Sequence, residues 1–202
     1  MTGNLYAIVA PSGAGKTSLV EALLKEEPKI RLSVSYTTRA PRSGEVNGRD
    51  YQFVSRDEFE ALLKQGEFLE YAEVYGNLYG TSKSWITAAR AAGDDVLLEI
   101  DWQGATQVRR IFSDMVGIFI MPPSFEALEK RLTARGKDTA DVIARRIAGA
   151  RQEMQHVSEA DYIVVNDDFA AALADLRAVV QAARLTRERQ LERHANIISR
   201  FV

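Results

Sequence analysis

Ala10-Pro11-Ser12-Gly13-Ala14-Gly15-Lys16-Thr17 is the stretch of sequence that decides the fold. It follows a short apolar run at 5–9 and precedes 16–25, where leucine and valine recur at helical spacing. A strand, a glycine-rich turn, Lys-Thr and a helix in this order are typical of a phosphate-binding loop. Glycine allows the tight turn that points backbone N–H groups at phosphate oxygens, and the helix start adds the positive end of its dipole.

The side chains of this loop indicate a nucleotide and a metal ion. Lys16 can reach the β- and γ-phosphates, and the Thr17 hydroxyl can coordinate Mg²⁺. Ala10 stands where the general pattern has glycine, which is a departure from the motif. The alternative is a tight turn that binds nothing, and it explains poorly why Gly-x-Gly-Lys-Thr follows a buried strand. We therefore assign residues 10–17 to the cofactor site, with Thr17 as the metal ligand.

Composition limits the class of protein. The chain has 202 residues, 46% hydrophobic and 27% charged, so we expect one globular domain with an insert. The formal net charge of −2 gives no overall field that would attract nucleic acid or an anionic membrane. The absence of cysteine excludes disulfides and thiolate metal sites. With no secretion signal and no apolar run of membrane-spanning length, the sequence predicts a cytoplasmic protein.

The order of the predicted elements indicates the fold class. Short apolar strands at 5–9, 96–100, 117–121 and 162–165 alternate with helical patterns, which predicts an α/β fold with a doubly wound parallel sheet. Residues 33–80 break this rhythm and predict an inserted mixed α/β subdomain. We expect a core at 4–32, 94–124 and 158–202, an insert at 33–93 and a helical lid at 125–157.

Finer boundaries also follow from the pattern. Alternating apolar and polar residues predict a strand at 32–36, and helical spacing predicts single helices at about 139–157 and 169–193. In open parallel sheets, ligands bind beyond the carboxyl ends of the strands. That rule places the phosphate loop, Asp101 and Asn166 at one rim.

Two polar clusters lie in and beside the insert. The first contains Ser35, Arg39, Arg42 and Tyr51, and arginine forks with a tyrosine hydroxyl suit a second phosphate, although a solvated loop is the simpler alternative. The second contains Glu70, Tyr79, Thr81 and Asp101. Its carboxylates could hold Mg²⁺, accept from the edge of a base, or pair with lysine.

A third cluster is cationic and lies in the predicted lid. Arg131 and Arg135 are spaced i, i+4 and share a helix face, and further arginines, including Arg146, follow on the next helix. Such a lid could close over nucleotide phosphates and supply charge to the transferring group. An ordinary solvated surface is the alternative.

These segments together resemble the guanylate kinase family over nearly the whole chain, from about residue 4 to 190. The phosphate loop carries the resemblance first, including alanine at its first position, which is common in that family. The other matching segments are Ser-Val-Ser-Tyr-Thr-Thr-Arg-Ala-Pro-Arg-Ser-Gly-Glu (33–45), Gly-Arg-Asp-Tyr-Gln-Phe-Val (48–54), Glu-Phe-Leu-Glu-Tyr-Ala (67–72), Gly-Asn-Leu-Tyr-Gly-Thr (76–81), Ile-Asp-Trp-Gln-Gly (100–104) and Val-Asn-Asp-Asp (165–168).

The resemblance implies ATP-dependent phosphorylation of GMP, and probable acceptance of dGMP, with Mg²⁺, in guanine nucleotide synthesis and recycling. It implies that the guanine faces Ser35, Glu70, Thr81 and Asp101. It implies that the GMP phosphate binds to Arg39, Arg42, Tyr51 and Tyr79, and that Arg39 is also a catalytic residue. Lys16, Arg131, Arg135 and Arg146 would surround the transferring group, and Asn166 would lie near the adenine of ATP.

The chemistry agrees with this reading, because a phosphate acceptor is already ionised and needs no general base. Carboxylates also accept from the N1–H and N2 amino groups of guanine but would repel the N1 lone pair of adenine. Three other functions compete with GMP phosphorylation: a scaffold domain of the same shape that binds protein, a kinase acting on a ribose bisphosphate, and a P-loop hydrolase or switch protein. The last would need a water-positioning residue and switch loops, which the sequence does not indicate. GMP and ATP are the expected partners, with no nucleic acid or membrane, and self-assembly is left open.

Overall fold

The structure, a computed structural model, describes residues 2–74, 76–134 and 139–201. Its strands are β1 Leu5–Val9, β2 Ile30–Leu32, β3 Tyr36–Thr37, β4 Gln52–Phe53, β5 Phe68–Val74, β6 Asn77–Ser82, β7 Asp95–Glu99, β8 Val116–Met121 and β9 Tyr162–Val165. Its helices are α1 Lys16–Glu26, α2 Arg56–Lys64, α3 Lys83–Ala91, α4 Trp102–Ile111, α5 Phe125–Ala134, α6 Ala140–Glu153, a 3₁₀ helix at Met154–Glu159, α7 Phe169–Arg184, α8 Arg187–Arg193 and α9 Ala195–Ile198.

The larger sheet has five parallel strands in the order β2-β7-β1-β8-β9. Side chains alternate across β1, so Tyr6 and Ile8 pack with α1 and α7 on one face, while Leu5 and Ala7 pack with α3 and α4 on the other. Every residue of β1 is buried, as expected for a central strand that is covered by helices on both faces. The predicted α/β, doubly wound parallel sheet is confirmed.

The smaller sheet has four strands in the order β4-β3-β6-β5, with one parallel pair and two antiparallel pairs. Helix α2 covers it, and the rings of Phe59 and Phe68 stack with their centroids 4.3 Å apart. A Cβ at Gly80 would lie 2.9 Å from an atom of each ring, so this close packing requires glycine. The sheet is mixed, which confirms the predicted character of the insert.

The strand predicted at 32–36 is divided between the two sheets. Residues up to Leu32 pair with β7, and Tyr36 begins a strand of the smaller sheet. Between them, the Ser33 N–H donates to the Leu97 carbonyl at 2.9 Å, and the Ser35 carbonyl accepts from the Gln52 N–H at 2.9 Å. The chain therefore passes from one sheet to the other within three residues, which an alternating pattern does not distinguish from one strand.

Both long helices predicted near the C-terminus are interrupted. The first ends at Glu153 and continues as the 3₁₀ helix, and the second ends at Arg184 before α8 begins. The Arg184 guanidinium donates to the carboxylates of Glu27 at 2.6 Å and Asp95 at 2.7 Å. The backbone carbonyl of Arg184 accepts from the Gln190 side chain. These tertiary contacts outweigh local helix propensity.

None of the helices in the described ranges combines the length and the apolar character that crossing a bilayer would need.

Candidate active site

The loop between β1 and α1 has the shape that its sequence predicts. Gly13 and Gly15 have φ angles of 93° and 94°, which side chains rarely adopt, and α1 begins at Lys16. A Cβ on Gly15 would also lie 2.3 Å from the Asn166 amide nitrogen, and one on Gly13 would lie 3.0 Å from Leu128 and Leu132. Both positions therefore require glycine for conformation and for close packing.

Asn166 holds this loop from the end of β9. Its side-chain amide donates to the Ala14 carbonyl at 2.7 Å and is buried. The Asn166 carbonyl in turn accepts from the Arg131 guanidinium at 2.8 Å. The other terminal nitrogen of Arg131 is buried and has no hydrogen-bond partner in the described structure. The end of β9 thus brings Asn166 to the loop, and Asn166 holds Arg131 of α5 beside it. Arg131 keeps one terminal nitrogen that can donate to a ligand.

Lys16 lies among carboxylates at the rim of the larger sheet. Burial lowers the pKa of Lys16, and the negative charges of Glu99, Glu153 and Asp101 oppose that shift. Burial raises the pKa of Glu99, and Lys16 opposes this shift. A cavity of about 300 Å³ is lined by the loop, Thr17, Asp101 and Glu153. Its volume is at the lower end of the range for small-molecule sites.

Asp101 connects this rim to the smaller sheet. Its carboxylate accepts from the Gly104 N–H at 2.8 Å and caps α4. A Cβ on Gly104 would lie 3.1 Å from a carboxylate oxygen of Glu70, so the first turn of α4 sits directly against that side chain. The predicted pair Glu70 and Asp101 is therefore brought together.

Glu70 and Thr81 face each other across β5 and β6. Both are buried, and the Thr81 hydroxyl donates to the Glu70 carboxylate at 2.5 Å. Burial raises the pKa of Glu70 to about 7, Thr81 opposes the shift, and the charge of Asp101 adds to it. A carboxylate in this state gains from a ligand that supplies hydrogen-bond donors.

A cationic and aromatic cluster forms the other part of this site. The Arg39 guanidinium lies 5.3 Å from the Tyr51 ring, and the rings of Tyr51 and Tyr79 meet edge to face at 5.9 Å. Burial raises the pKa of Tyr51, so its hydroxyl remains a donor at neutral pH. Both oxygens of Glu45 bind Arg39, at 2.8 and 3.0 Å, and one accepts from the Arg42 N–H at 2.7 Å. Ser35 is half-buried beside β3.

The lid arginines do not share one environment. Arg131 reaches the loop from α5, while Arg146 lies half-buried on α6 with a partner of its own. Arg151 lies over the Phe125 ring at 4.3 Å and joins the two lid helices. The predicted catalytic residue Arg135 lies outside the described residues.

Three carboxylates that the structure brings to these sites were not singled out from the sequence. Glu99 could have been found, because it is a charged residue in an otherwise apolar strand. Glu45 lies in the arginine-rich loop, but its pairing depends on how that loop turns. Glu153 reaches the phosphate loop from a helix 141 positions later, for which the sequence carries no signal.

This loop, its lysine and a second polar site across the rim define a P-loop kinase of small phosphorylated acceptors. A family model described as guanylate kinase matches residues 2–183. The guanylate kinase of Dechloromonas aromatica is 58% identical over the full length of both chains, and that of Thiobacillus denitrificans is 59% identical over 98% of this chain and 95% of its own. The crystal structure of guanylate kinase from Anaplasma phagocytophilum superposes with a TM-score of 0.79 at 35% identity, covering 99% of this chain and 96% of that one. The chain belongs to the guanylate kinase family, whose members phosphorylate GMP to GDP with ATP.

Proposed function

We propose that the two polar sites hold the two substrates of this reaction, with the acceptor in the smaller sheet and the donor at the phosphate loop. The observation that carries the proposal is the buried pair of Glu70 and Thr81. A buried carboxylate with spare acceptor capacity fits the N1–H and N2 amino donors of guanine. Adenine would leave this carboxylate unpaired, and an unpaired buried polar group can lower the activity with the wrong base by roughly 10⁴-fold.

In this proposal, the base is also met by Ser35 and Asp101, and the GMP phosphate binds Arg39, Arg42, Tyr51 and Tyr79. The supporting features are the ring contacts around Arg39 and the neutral, donating hydroxyl of Tyr51. One terminal nitrogen of Arg39 donates to both oxygens of Glu45, and the other donates to the Ala40 carbonyl, so the guanidinium is held in place beside the Tyr51 ring.

ATP is proposed to place its phosphates on residues 10–17, with Lys16 on the β- and γ-phosphates and Asn166 near the adenine. Arg131, Arg135 and Arg146 would supply positive charge to the transferring group. For Arg131 this is supported by a buried terminal nitrogen that has no hydrogen-bond partner within the described ranges. The GMP phosphate attacks as an ionised oxygen, so the protein contributes position and charge rather than a base.

Mg²⁺ fits the donor set at this site. Thr17 lies exposed at the start of α1, and Asp101 lines the same cavity. Glu99, whose charge acts on the neighbouring Lys16, has one buried oxygen with no hydrogen-bond partner among the described residues. Within the described ranges no three histidine, cysteine or acidic side chains form a metal cage. Thr17 would hold the ion, which supplies positive charge to the phosphates.

The activity test measures ADP formation from ATP and Mg²⁺ with one acceptor at a time. The acceptors are GMP, dGMP, AMP, UMP and ribose 1,5-bisphosphate. We expect turnover with GMP and dGMP only. Turnover with AMP or UMP would contradict the guanine role of Glu70, and turnover with the ribose compound alone would overturn the acceptor site. Absence of turnover from folded protein that binds GMP would favour the scaffold alternative.

We propose that the chain forms one domain with the core, insert and lid boundaries given above. This is supported by the strands within residues 36–82, which form a sheet of their own. A cytoplasmic location and a possible homo-oligomer are also proposals. Gel filtration with light scattering would decide the oligomeric state.

A further inference from the structure

A carboxylate of the lid lies in the phosphate loop. Glu153 is the last residue of α6, and one of its oxygens accepts from the Ser12 N–H at 3.3 Å. It lines the same cavity as the loop and Lys16. Burial raises the pKa of Glu153, and the charge of Lys16 and the Ser12 hydrogen bond oppose the shift. No ion pair holds this carboxylate within the described part of the chain.

The position of this oxygen is informative because of what the loop is built to bind. Backbone N–H groups of a phosphate-binding loop converge on anionic oxygens. A carboxylate that accepts from one of these groups stands where a phosphate oxygen would be placed. Two anions at that position repel each other strongly because the site is partly buried.

We propose that Glu153 is a placeholder for the donor phosphates: it occupies the loop in the nucleotide-free protein and is displaced when nucleotide binds. This inference rests on the proposed donor site at residues 10–17. Glu153 is thereby a residue that sets donor affinity, and it acts by competition rather than by contact with the reacting atoms.

Displacement has a direct consequence for the lid. Glu153 and Arg146 are seven residues apart on α6 and share one helix face. Release of Glu153 frees the C-terminal end of the helix that carries Arg146. Donor binding and movement of Arg146 are therefore linked through the hydrogen bond between Glu153 and Ser12. Because Glu153 must be displaced, the affinity for the donor is lower than it would be without this bond.

The test compares two variants that remove the same charge from the lid. Glu153→Gln keeps an oxygen that can accept from Ser12 but removes the negative charge, while Glu129→Gln changes an exposed residue of α5. The dissociation constant of ADP, without GMP and Mg²⁺, is measured by titration calorimetry. We expect Glu153→Gln to bind ADP about tenfold more tightly than the wild type, which corresponds to about 1.4 kcal/mol, and Glu129→Gln to match the wild type.

A second readout concerns the free protein. Amide hydrogen exchange over α6 should be faster in Glu153→Ala than in the wild type, since alanine cannot accept from Ser12 and the helix end has lost an anchor. Glu153→Ala, measured in parallel, should tighten ADP binding at least as much. Unchanged or weaker ADP binding in both folded variants would overturn the proposal.

A failure of the donor site is recognised separately with Lys16→Met in the same titration. If Lys16→Met leaves ADP affinity unchanged, the assignment of the loop is wrong, and this inference falls with it. If Lys16→Met weakens ADP binding but neither Glu153 variant tightens it, only the placeholder is refuted.

Discussion

Replacement of Glu70 by glutamine should stabilise the free protein while it damages acceptor binding. Glutamine keeps an oxygen that accepts from the Thr81 hydroxyl, so the main change is loss of a buried titrating group. In the wild type, burial raises the pKa of Glu70 from 4.5 to about 7. Between these values the unfolded chain has lost a proton that the folded protein keeps, so wild-type stability falls as pH rises through this window.

The size of the effect follows from that shift. A shift of this size contributes about 3 kcal/mol to the free energy of unfolding of the wild type. This contribution is present below pH 4.5 and lost above pH 7. The variant has no group that titrates at this position. Relative to the wild type, its free energy of unfolding should therefore rise by about 3 kcal/mol between pH 4.5 and pH 8.

Urea unfolding of both proteins at pH 4.5 and pH 8 measures this difference. Glu73→Gln is the matched control, because it removes an exposed carboxylate from the same strand and leaves Glu70 in place. Calorimetry at pH 8 should show that Glu70→Gln binds GMP roughly 10- to 100-fold more weakly, the loss expected for a charged acceptor. A stability difference that does not depend on pH would refute the reasoning.

Two other predictions concern the loop. Lys16→Met should lower the rate of phosphoryl transfer at least a hundredfold in the coupled ADP assay and leave the circular dichroism spectrum unchanged; wild-type turnover would contradict the role of the lysine. Asn166→Ala should lower the free energy of unfolding by about 2 kcal/mol, because the Ala14 carbonyl loses its side-chain donor, whereas Asp167→Ala, at an exposed neighbour, should have little effect. Equal urea midpoints for these two variants would show that the amide does not support the loop.

Sequence patterns were sufficient where the signal is local. Gly13 and Gly15 indicate positive φ angles from their motif alone, and Ser55 followed by Glu58 predicts the capping box that begins α2. Apolar runs identified the central strands, because a strand covered on both faces has few polar residues. The α/β fold and the loop were therefore predictable from residue types and spacing.

Other features depend on contacts that spacing does not record. The end of α7 at Arg184 depends on Glu27 and Asp95, which belong to distant elements. Likewise, the pairing of Glu45 with Arg39 depends on the course of an irregular loop, and the approach of Glu153 to Ser12 depends on how the lid packs. In each case a partner far along the chain or in an irregular segment decides the local structure.

The bond between Asn166 and Ala14 also constrains how the protein is made. It joins residues 152 positions apart, because Ala14 follows β1, the first described strand along the chain, and Asn166 follows β9, the last. During synthesis the loop leaves the ribosome first, and Asn166, which supports it, emerges 152 residues later. A nascent chain therefore carries the complete motif without the finished cradle, so nucleotide can stabilise the fold only after β9 has docked.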